Sequence, residues 1–397
     1  MRRELEVTAP AVEVVRQKAA LTALREEWAA LLEQSAAGIF NGWEWLLPWT
    51  DRLGSHREPW VLLARERVGP QAGKLVGLWP LCLETRRVGP KVVRRLGFLG
   101  DERVGSDYLD VVAVRGHEEE VTRAFAATLQ TRKAEWDLLE LWDLDEVSPT
   151  PGILRDALGA EVAHRVSDRG LCPHEHFAEG ETFDEFLRRT KRRDNYLRRR
   201  KWLEKQPGYR IEITTRPEEL ARPLAEFFRL HAMRWAEDGG SSGINGAATE
   251  AFHRDATWHL AEAGKLRLYT MWMGNEAVAS VYGIVHQERF HYYQSGLDPA
   301  WRPKSVGMVL VGATFEDAMS LGLREYDFLR GTETYKSDWV SKLRKTVGLR
   351  AFSTSGAGAL YVRLDEGKKA ARGVVKRALP TEWVEKARRL RRQWAAR

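Results

Sequence analysis

A pattern of strands and helices that occurs twice is the feature that most constrains how this chain can fold. The first copy consists of three strand-like apolar runs, a helical segment and a further strand-like run, at residues 60–66, 74–84, 108–114, 118–133 and 136–144. The second copy repeats this order at residues 265–273, 276–285, 289–296, 305–321 and 323–331. Two copies of one order, offset by roughly 190 to 200 residues, predict a duplicated domain.

Each copy is expected to form a mixed, mostly antiparallel sheet flanked by helices, which is an α/β (α+β) fold. Gly274 and Asn275, between two of the runs, are a strong signal for a β-hairpin. The segment "SPTPG" (148–152) is typical of a turn or linker. The sequence therefore predicts a first domain with an N-terminal helix, a linker with a basic helix, a second domain and a basic helical tail, at 1–150, 151–206, 207–360 and 361–397.

The composition is that of a globular protein. The chain has 397 residues, 43% of them hydrophobic, which is enough for two or three ordinary domains. No apolar run approaches the roughly 18 residues that cross a bilayer. The N-terminal sequence lacks the apolar core of a secretory signal, and Cys82 and Cys172 suit neither a disulfide framework nor a zinc quartet. We therefore expect a cytoplasmic protein that binds no metal.

The C-terminal tail holds most of the excess positive charge. Residues 363–397 contain 12 Lys/Arg against 4 Asp/Glu, whereas the formal net charge of the whole chain is +7. The remainder of the chain is thus nearly neutral, and its basic pI says little about nucleic-acid binding. The tail is either a solvated helix or a segment that docks on an anionic membrane, at its inner face, or on a synthase complex.

A second basic segment is the predicted long helix at 182–205. Thr182 and Glu185 form a T-x-x-E capping box at its start, and nine Arg/Lys lie between Arg188 and Lys201 against one acidic residue. Such density is balanced either by phosphate groups of a ligand or nucleic acid, or by carboxylates on neighbouring loops. In the first case Arg193 is a candidate contact for the ligand.

The segment "RPKSVGM" lies between the last run of the second meander and the helix that follows. Its small residues Ser305 and Gly307 would let backbone N–H groups approach a pyrophosphate at the helix N-terminus. Arg302 and Lys304 would add positive charge, and Val306 would contribute its backbone. The alternative is an ordinary connection between a strand and a helix.

The last strand of the second copy leads into "RGTETYKSDW". This stretch places a hydroxyl, an ammonium, a carboxylate and an indole within five positions, at Tyr335, Lys336, Asp338 and Trp339. Strand ends that feed loops are where α/β folds commonly place their chemistry. The alternative is a loop that is anchored by aromatic packing.

Four further residues are weaker candidates. His253 is a base or a substrate ligand, or else a boundary histidine held by packing. Asp107 and Tyr108 lie in "GSDYLD", where turn chemistry alone explains the sequence. Trp235 lies near polar, loop-like sequence, where its ring could stack on a sugar or a base. The sequence contains no Ser-His-Asp elbow, Walker loop or H-E-x-x-H motif, which disfavours hydrolase and NTPase functions.

Three stretches together resemble the CelD/BcsL-like branch of the GNAT acyltransferase superfamily: "FLRRTKRRDNYLRRRKWLE", "FHYYQSGLDPAWRPKSVGMVL" and "YDFLRGTETYKSDW". That branch is associated with bacterial cellulose and exopolysaccharide loci, and it is similar to the Fem-type transferases that build peptidoglycan cross-bridges. The likeness extends over residues 38–356. Its most specific element is G-x-E-x-Y-K-x-x-W, matched by Gly331, Glu333, Tyr335, Lys336 and Trp339.

The resemblance implies tandem GNAT-like domains that move an acyl group from acyl-CoA, such as acetyl-CoA, to a sugar- or amine-bearing acceptor in cell-envelope or exopolysaccharide synthesis. GNAT enzymes bind the CoA pyrophosphate on a [QR]-x-x-G-x-[GA] loop; here Arg302 and Gly307 fit, but Ser305 replaces the first glycine. Fem-type relatives use aminoacyl-tRNA instead, which the basic helix would suit. A third interpretation is a non-catalytic GNAT-like binding module of an envelope or polysaccharide synthase complex.

Acyl transfer needs a deprotonated nucleophile, a stabilised oxyanion and a proton for the leaving group. Under the resemblance, Lys336 is expected to stabilise the oxyanion or bind a phosphate, and Tyr335 to protonate the leaving thiolate. Asp107 or Asp327 is expected to accept the proton of the nucleophile, although Asp327 also suits a role at the strand end. The expected substrate contacts are Trp339, Tyr108, His253, Trp235 and Arg193.

Overall fold

The computed structural model describes residues 9–100, 104–236, 244 and 246–378, with side chains through residue 371. The chain divides into two compact units. Unit 2 is Leu171–Arg344, and unit 1 contains the residues before Leu171 together with those from Lys345 to the last described helix. These bounds differ from the predicted domains because the basic helical segment belongs to unit 2 and because two strands, Val162–His176 and Lys342–Ser353, each run through a boundary.

Unit 1 contains a larger share of short strands. They are β1 Ala11–Val15, β2 Glu58–Pro59, β3 Val61–Arg65, β4 Leu75–Trp79, β5 Leu81–Val88, β6 Lys91–Phe98, β7 Val112–Ala113, β8 Leu138–Asp145 and the first part of β9 Val162–His176. The helices are α1 Lys18–Ala23, α2 Arg25–Gln34, α3 Trp43–Arg52, α4 Glu118–Thr131 and α5 Thr150–Leu158, with the C-terminal Ala357–Ala378 following later in the chain.

The strands of unit 1 pair in the orders β1–β3–β4–β7 and β2–β5–β6–β8, the latter continuing into the strand Lys342–Ser353. β5 and β6 form an antiparallel hairpin, and β6 pairs in parallel with β8 after the chain passes through α4. The predicted strand at 74–84 breaks at Pro80 into β4 and β5, because proline has no N–H to donate to a ladder. The sequence pattern did not predict β6, and the run at 108–114 contributes only β7.

Unit 2 follows the second copy of the pattern. Its strands are the last part of β9, β10 Tyr209–Thr214, β11 Leu266–Met273, β12 Glu276–His286, β13 Arg289–Leu297, β14 Glu325–Asp327 and the start of β15 Lys342–Ser353. Its helices are α6 Phe183–Arg189, α7 Arg193–Glu204, α8 Ala221–Ala236, α9 Ala247–Glu262, α10 Val306–Ser320 and α11 Thr334–Ser337, and the Ala357–Ala378 helix of unit 1 is α12.

The strand order in unit 2 is β10–β11–β12–β13–β14–β9. β11, β12 and β13 are an antiparallel meander whose first turn is the predicted Gly274–Asn275 hairpin. After α10 the chain returns as β14, which pairs in parallel with β13. Each unit therefore leads from antiparallel strands through a helix to a parallel strand, which confirms the predicted α/β class and its duplicated order.

Two helix predictions need correction. The segment at 182–205 is two helices, α6 and α7, since Lys191 between them adopts a left-handed conformation with φ 58°. The Thr182 capping box does form, with the Glu185 N–H donating to Thr182 Oγ1 at 3.3 Å. The segment predicted as a linker at 148–152 instead begins α5, where a proline in the first turn is well tolerated.

The structure describes the first part of the predicted C-terminal tail. α12 covers Ala357–Ala378, so its helical start lies inside unit 1, and the rest of the predicted basic tail lies outside the described residues. None of the helices in the described ranges is both long and apolar enough to cross a membrane.

The core of unit 2 is organised around α10. The ring of Phe315 stacks on Tyr326 of β14 with centroids 3.7 Å apart, and Trp339 stacks on the same phenylalanine at 5.2 Å. On another face, a Cβ at Gly312 would lie 2.1 Å from the ring of Tyr196, so only glycine allows α7 to pack this closely on α10. This packing fixes the N-terminal end of α10 relative to the loop that follows β14.

Candidate functional site

A cavity of about 410 Å³ lies in unit 2 where β13 and β14 separate. The parallel ladder between these strands covers three residue pairs and ends at His291 opposite Asp327. The part of β13 beyond the ladder lines the cavity, together with α8, β12, the start of α10 and the loop after β14; the lining includes Arg234, Ser280, Tyr292, Ser295, Arg302, Ser305, Gly307, Tyr335, Asp338 and Trp339.

Two irregularities of β13 shape this wall. Its pairing with β12 shifts between Tyr282 and Gly283, so that Tyr293 is an extra residue in the strand. Five residues beyond the end of the ladder at His291, a Cβ at Gly296 would lie only 2.3 Å from the backbone nitrogen of His231. A glycine at this position is therefore what lets α8 cross β13 at close range and bring Arg234 to the cavity.

The N-terminus of α10, which follows the segment "RPKS", opens into the cavity. Ser305, in a left-handed conformation with φ 62°, precedes the helix, and Arg302, Ser305 and Gly307 all line the cavity. The first N–H groups of a helix lack intrahelical acceptors and carry the positive end of its dipole, so this end suits an anion. Val306 is buried in the core and is not among the residues that line the cavity.

Lys304 is not among the lining residues. Its ammonium lies 5.0 Å from the ring centroid of Trp202, a tryptophan that is 40% exposed on α7. The two residues form a cationic and aromatic surface beside the N-terminus of α10.

Tyr335 projects from α11 into the cavity, next to two groups that the sequence did not single out. The guanidinium carbon of Arg234 lies 5.4 Å from the centroid of the Tyr335 ring, and the ring of Tyr292 lies 6.4 Å away. Burial raises the pKa of the Tyr335 hydroxyl, while the charge of Arg234 and hydrogen bonds with Tyr292 and Arg234 oppose that rise. The phenol is therefore neutral at physiological pH and able to donate a proton.

Lys336 points away from the cavity into the loop that carries it. Its Nζ donates to the carbonyls of Phe328 and Arg330, both at 3.2 Å, and lies 3.0 Å from the Glu333 carboxylate. An ammonium has three N–H donors, and these partners account for all of them. The predicted role of Lys336 as an oxyanion or phosphate ligand is not supported by this geometry, which favours the alternative of an anchored loop.

Gly331 explains why the motif contains a glycine. Its φ is 127°, and a Cβ there would lie 2.4 Å from the Glu333 carboxylate and 2.9 Å from Lys336 Nζ. The G-x-E-x-x-K part of the motif is thus a structural unit, in which the ion pair of Glu333 and Lys336 packs against Gly331. Tyr335 lies between Glu333 and Lys336 in the sequence, so this unit also holds Tyr335 in place.

Asp327 also has a structural environment. It is fully buried at the end of β14, where its carboxylate accepts from Leu329 N–H at 2.7 Å and from Arg344 Nη1 at 2.9 Å. These contacts hold a turn in which Leu329 has a φ of 55°. Asp327 does not line the cavity, so the structure places it as a strand-end residue rather than as the proton acceptor that was also expected.

The expected substrate contacts are dispersed. Trp339 does line the cavity, although only 2% of it is exposed and its ring packs on Phe315. His253 is fully buried on α9 against aromatic rings, and burial lowers its pKa to about 3, which identifies it as the packed histidine of the two alternatives. Trp235 packs beside His231 and under the guanidinium of Arg234 rather than in the lining.

Much of the charge on the basic segment is balanced within unit 2. Arg193 pairs with Asp184 at 2.5 Å, Arg189 with Glu181 at 2.8 Å, and Arg200 with Glu316 at 2.7 Å; Arg192 donates to the backbone of Asp338 at 2.8 Å. These contacts match the alternative in which neighbouring carboxylates neutralise the helix. Arg193 itself is therefore engaged on the surface and does not reach the cavity.

Asp107 and Tyr108 belong to unit 1. Both are buried, and Tyr108 has a φ of 62° in a turn where its N–H donates to the Asp143 carbonyl at 2.8 Å. Its own carbonyl accepts from Asn41 Nδ2 at 2.9 Å. The local geometry is that of a tightly held turn, which agrees with the turn chemistry of "GSDYLD".

Sequence reasoning missed Arg234, Tyr292 and Ser295. Tyr292 and Ser295 lie in a strand whose alternation identifies buried positions but not which of them border a gap between strands. Arg234 lies in the amphipathic α8, where a single arginine carries no motif. Only the crossing of α8 over β13 reveals that it enters the cavity. Within the described ranges, no cluster of three or more His, Cys, Asp or Glu side chains is arranged to hold a metal ion.

The architecture of unit 2 agrees with a comparison with protein families. Residues 190–337 match the family model described as the acetyltransferase (GNAT) domain. The match covers the basic helix α7, the meander, α10 and the loop through Lys336, so all the cavity-lining residues except Asp338 and Trp339 lie within it. A search of the curated proteins finds no match.

Solved structures show the same fold over most of the chain. The crystal structure of FemX aligns with a TM-score of 0.59 at 12% identity, covering 86% of this chain and 98% of FemX. The L-PGS structure from Bacillus licheniformis aligns with a TM-score of 0.50 at 14% identity, over 82% of this chain and 90% of that one. A conserved protein of unknown function from Bacteroides thetaiotaomicron gives 0.51 at 11% identity, over 86% and 100%. At these identities the likeness concerns the fold.

Proposed function

We propose that the protein is a GNAT-type acyltransferase that moves an acyl group from acyl-CoA to an amine or hydroxyl. One observation carries the proposal: the open N-terminus of α10, with Arg302, Ser305 and Gly307, shares a single cavity with the buried phenol of Tyr335. An anion site and a proton donor in one cavity are what a thioester with a phosphorylated carrier requires.

The donor would be held from the helix end. The N–H groups at the start of α10 and the guanidinium of Arg302 would bind the pyrophosphate of CoA, and Gly307 would keep the backbone accessible. A serine in place of the first glycine of the loop is compatible with this use because Ser305 already adopts the left-handed conformation that glycine usually supplies. The apolar lining, which includes Val281, Leu297 and Val311, would receive the pantetheine arm.

The chemical step would then deliver one proton to the leaving thiolate and remove one from the acceptor. The nucleophile of the acceptor attacks the thioester carbonyl, the C–S bond breaks, and the Tyr335 hydroxyl protonates the departing thiolate of CoA. Because burial raises the pKa of Tyr335, the phenol holds its proton until the thiolate forms. Asp338 is the carboxylate among the lining residues and is the candidate to receive the acceptor's proton, since neither Asp107 nor Asp327 borders the cavity.

Binding of acetyl-CoA tests the proposal. We expect acetyl-CoA to raise the melting temperature of the protein. Arg302→Ala should raise the Kd for acetyl-CoA about tenfold and so reduce this stabilisation, because it removes one charge-assisted contact to phosphate. Arg193→Ala is the matched control, because Arg193 is a surface arginine of the same unit that pairs with Asp184. The proposal fails if acetyl-CoA does not stabilise the protein, or if both variants bind it as the wild type does.

A second candidate donor is aminoacyl-tRNA. The observation that favours it is the exposed ring of Trp202 with the Lys304 ammonium beside it, flanked by the exposed Lys201 in α7 and Lys205 just after that helix. A flat aromatic ring among exposed cations suits stacking of a base and contact with phosphates. Protection by aminoacylated tRNA that weakens steeply with salt, and that Trp202→Ala abolishes, would support this donor; equal behaviour of the variant would exclude it.

The acceptor is proposed from the resemblance alone. The CelD/BcsL-like likeness favours a sugar- or amine-bearing acceptor in cell-envelope or exopolysaccharide synthesis, at the inner face of the membrane if the basic tail docks there. Loss of polysaccharide acylation in a strain that carries Tyr335→Phe, at normal protein abundance, would support this role. Unchanged acylation would instead favour the non-catalytic interpretation.

A further inference from the structure

Arg234 is a cation that lines the cavity and forms no ion pair with any carboxylate in the described part of the chain. Among the residues that the structure describes, its hydrogen-bond partners are neutral: Nη1 donates to the hydroxyl and, at 3.4 Å, to the carbonyl of Ser295, and the Tyr335 hydroxyl is a further partner. Glu333 attracts it from farther away, but the carboxylate of Glu333 lies 3.0 Å from Lys336 Nζ. Within the described residues, the guanidinium therefore lines the cavity with no carboxylate in direct contact.

Five other arginines of unit 2 differ from Arg234 in this respect. Arg189, Arg193, Arg200, Arg267 and Arg344 each have a carboxylate within 3.3 Å. A partly buried charge that lacks a counter-ion is unfavourable, because burial removes water without replacing its solvation. Such a group is retained where a ligand supplies the opposite charge.

The surroundings of Arg234 also fix its orientation. Its guanidinium carbon lies 5.2 Å from the Trp235 ring centroid and 5.4 Å from that of Tyr335, so two aromatic faces bracket it. The close crossing of α8 over Gly296 holds the backbone from which it projects. A guanidinium held in this way offers its remaining N–H donors as a planar fork, which matches a carboxylate.

We propose that Arg234 binds a carboxylate on the acyl acceptor, so that the acceptor is an amino-acid-like or otherwise carboxylate-bearing molecule. This inference rests on the proposed acyltransferase function, in which the phosphates of the donor occupy the N-terminus of α10 beside Arg302. The anion at Arg234 is then a second one, next to the phenol of Tyr335 where transfer would occur. The residue sets which acceptor is chosen and does not take part in bond making.

The test compares carboxylates with their primary amides in the presence of saturating CoA. The panel contains amino acids and simple carboxylic acids, each beside its amide, and the readout is the shift in melting temperature, so that no turnover is needed. We expect the acids to bind about 10 to 100 times more tightly than the amides, as a charge-assisted pair in a partly buried site should. Inorganic phosphate is included as a further probe.

Variants separate the proposed role from a structural or an oxyanion-binding one. Arg234→Gln should reduce the preference for acids to near unity, and Arg234→Lys should restore part of it. Arg302→Gln should weaken CoA binding and leave the ratio of acid to amide unchanged. If turnover is observed, Arg234→Gln should raise KM for acids and leave KM for amides nearly unchanged. Any change in kcat that arises through the contact of Arg234 with the Tyr335 hydroxyl should be the same for acids and amides.

Several results would overturn the inference. One is that the wild type binds acids and amides with equal affinity. Another is that phosphate binds more tightly than every carboxylate and that Arg234→Gln abolishes this binding, which would assign a phosphoryl group to this position. A third is a drop of kcat in Arg234→Gln without a larger rise of KM for acids than for amides, which would assign the residue to the oxyanion or to Tyr335 and not to a carboxylate. Failure of acetyl-CoA to bind is a separate result, since it removes the proposed function itself.

Discussion

Lys336→Met tests whether the most specific motif of the chain is chemical or structural. The methionine fills the volume of the lysine stem but removes the ammonium, which donates to the carbonyls of Phe328 and Arg330 and pairs with Glu333. If Lys336 anchors the loop, its loss should lower the free energy of unfolding. If it acts on the reacting atoms, its loss should lower turnover and leave stability unchanged.

The size of the effect follows from the burial of its partners. Lys336 is only 4% exposed, and the bond to Phe328 is buried, so leaving that carbonyl without a partner should cost about 2 kcal/mol. The bond to Arg330 is partly accessible to water, which reduces its share to about 1 kcal/mol. The Glu333 side chain is 39% exposed and adds a few tenths of a kcal/mol at most. The total is about 3 kcal/mol.

Urea unfolding followed by circular dichroism and tryptophan fluorescence measures this loss. For an m-value of about 2 kcal/mol/M, the midpoint of the transition should fall by about 1.5 M. Lys304→Met is the matched control, since its ammonium lies on an exposed ring and its removal should change stability by less than about 0.5 kcal/mol. An unchanged midpoint for Lys336→Met, together with lost turnover, would refute the structural assignment.

Three further predictions concern the walls of the cavity. Tyr335→Phe should lower kcat with little change in acetyl-CoA binding. In the wild type, burial raises the pKa of the phenol, so the phenol should keep its proton beyond pH 10. A fall in kcat below pH 10 that depends on this hydroxyl would contradict the assignment of Tyr335 as the proton donor. Gly296→Ala should destabilise unit 2 by several kcal/mol, because the new Cβ would meet the backbone of His231 at 2.3 Å. Gly307→Ala should fold normally, because its Cβ meets only a side chain at 3.3 Å, but it should bind CoA more weakly. Melting temperatures with and without CoA measure both effects. Burial lowers the pKa of His231 to about 4, below its usual 6.5. The free energy of unfolding should therefore be at its full value above pH 6.5 and should fall by about 3 kcal/mol as the pH falls toward 4. Urea titrations at several pH values should show this loss for the wild type and a smaller one for His231→Gln.

The sequence predicted the second unit better than the first, for a physical reason. In unit 2 the strands are long, their turns carry Gly274–Asn275-type signals, and α10 is apolar along most of its length. In unit 1 the strands β1, β2, β3, β4 and β7 have five residues or fewer, and a proline at position 80 divides one apolar run between two sheets. Apolar periodicity indicates that a segment is buried, but it does not indicate which neighbour the segment pairs with.

The break between α6 and α7 shows a related limit. Helix propensity and a capping box predicted one helix from Thr182 onward, and the sequence there contains neither glycine nor proline to end it. The chain nevertheless turns at Lys191, where Leu187 and Tyr196 on either side are both buried in the core around α10. Burial of these two side chains outweighs the modest strain of one left-handed residue.

What the sequence determined by itself is the set of elements and the identity of two loops: the duplicated α/β order, the turn before α10 with Arg302, Ser305 and Gly307, and the loop with Tyr335. Tertiary structure alone decided what each side chain in those loops faces. Lys336 and Tyr335 are adjacent in sequence, yet one is turned into backbone carbonyls and the other into the cavity. Arg234, far away in the chain, joins them only because Gly296 lets α8 approach β13, a contact between distant segments that no local pattern encodes.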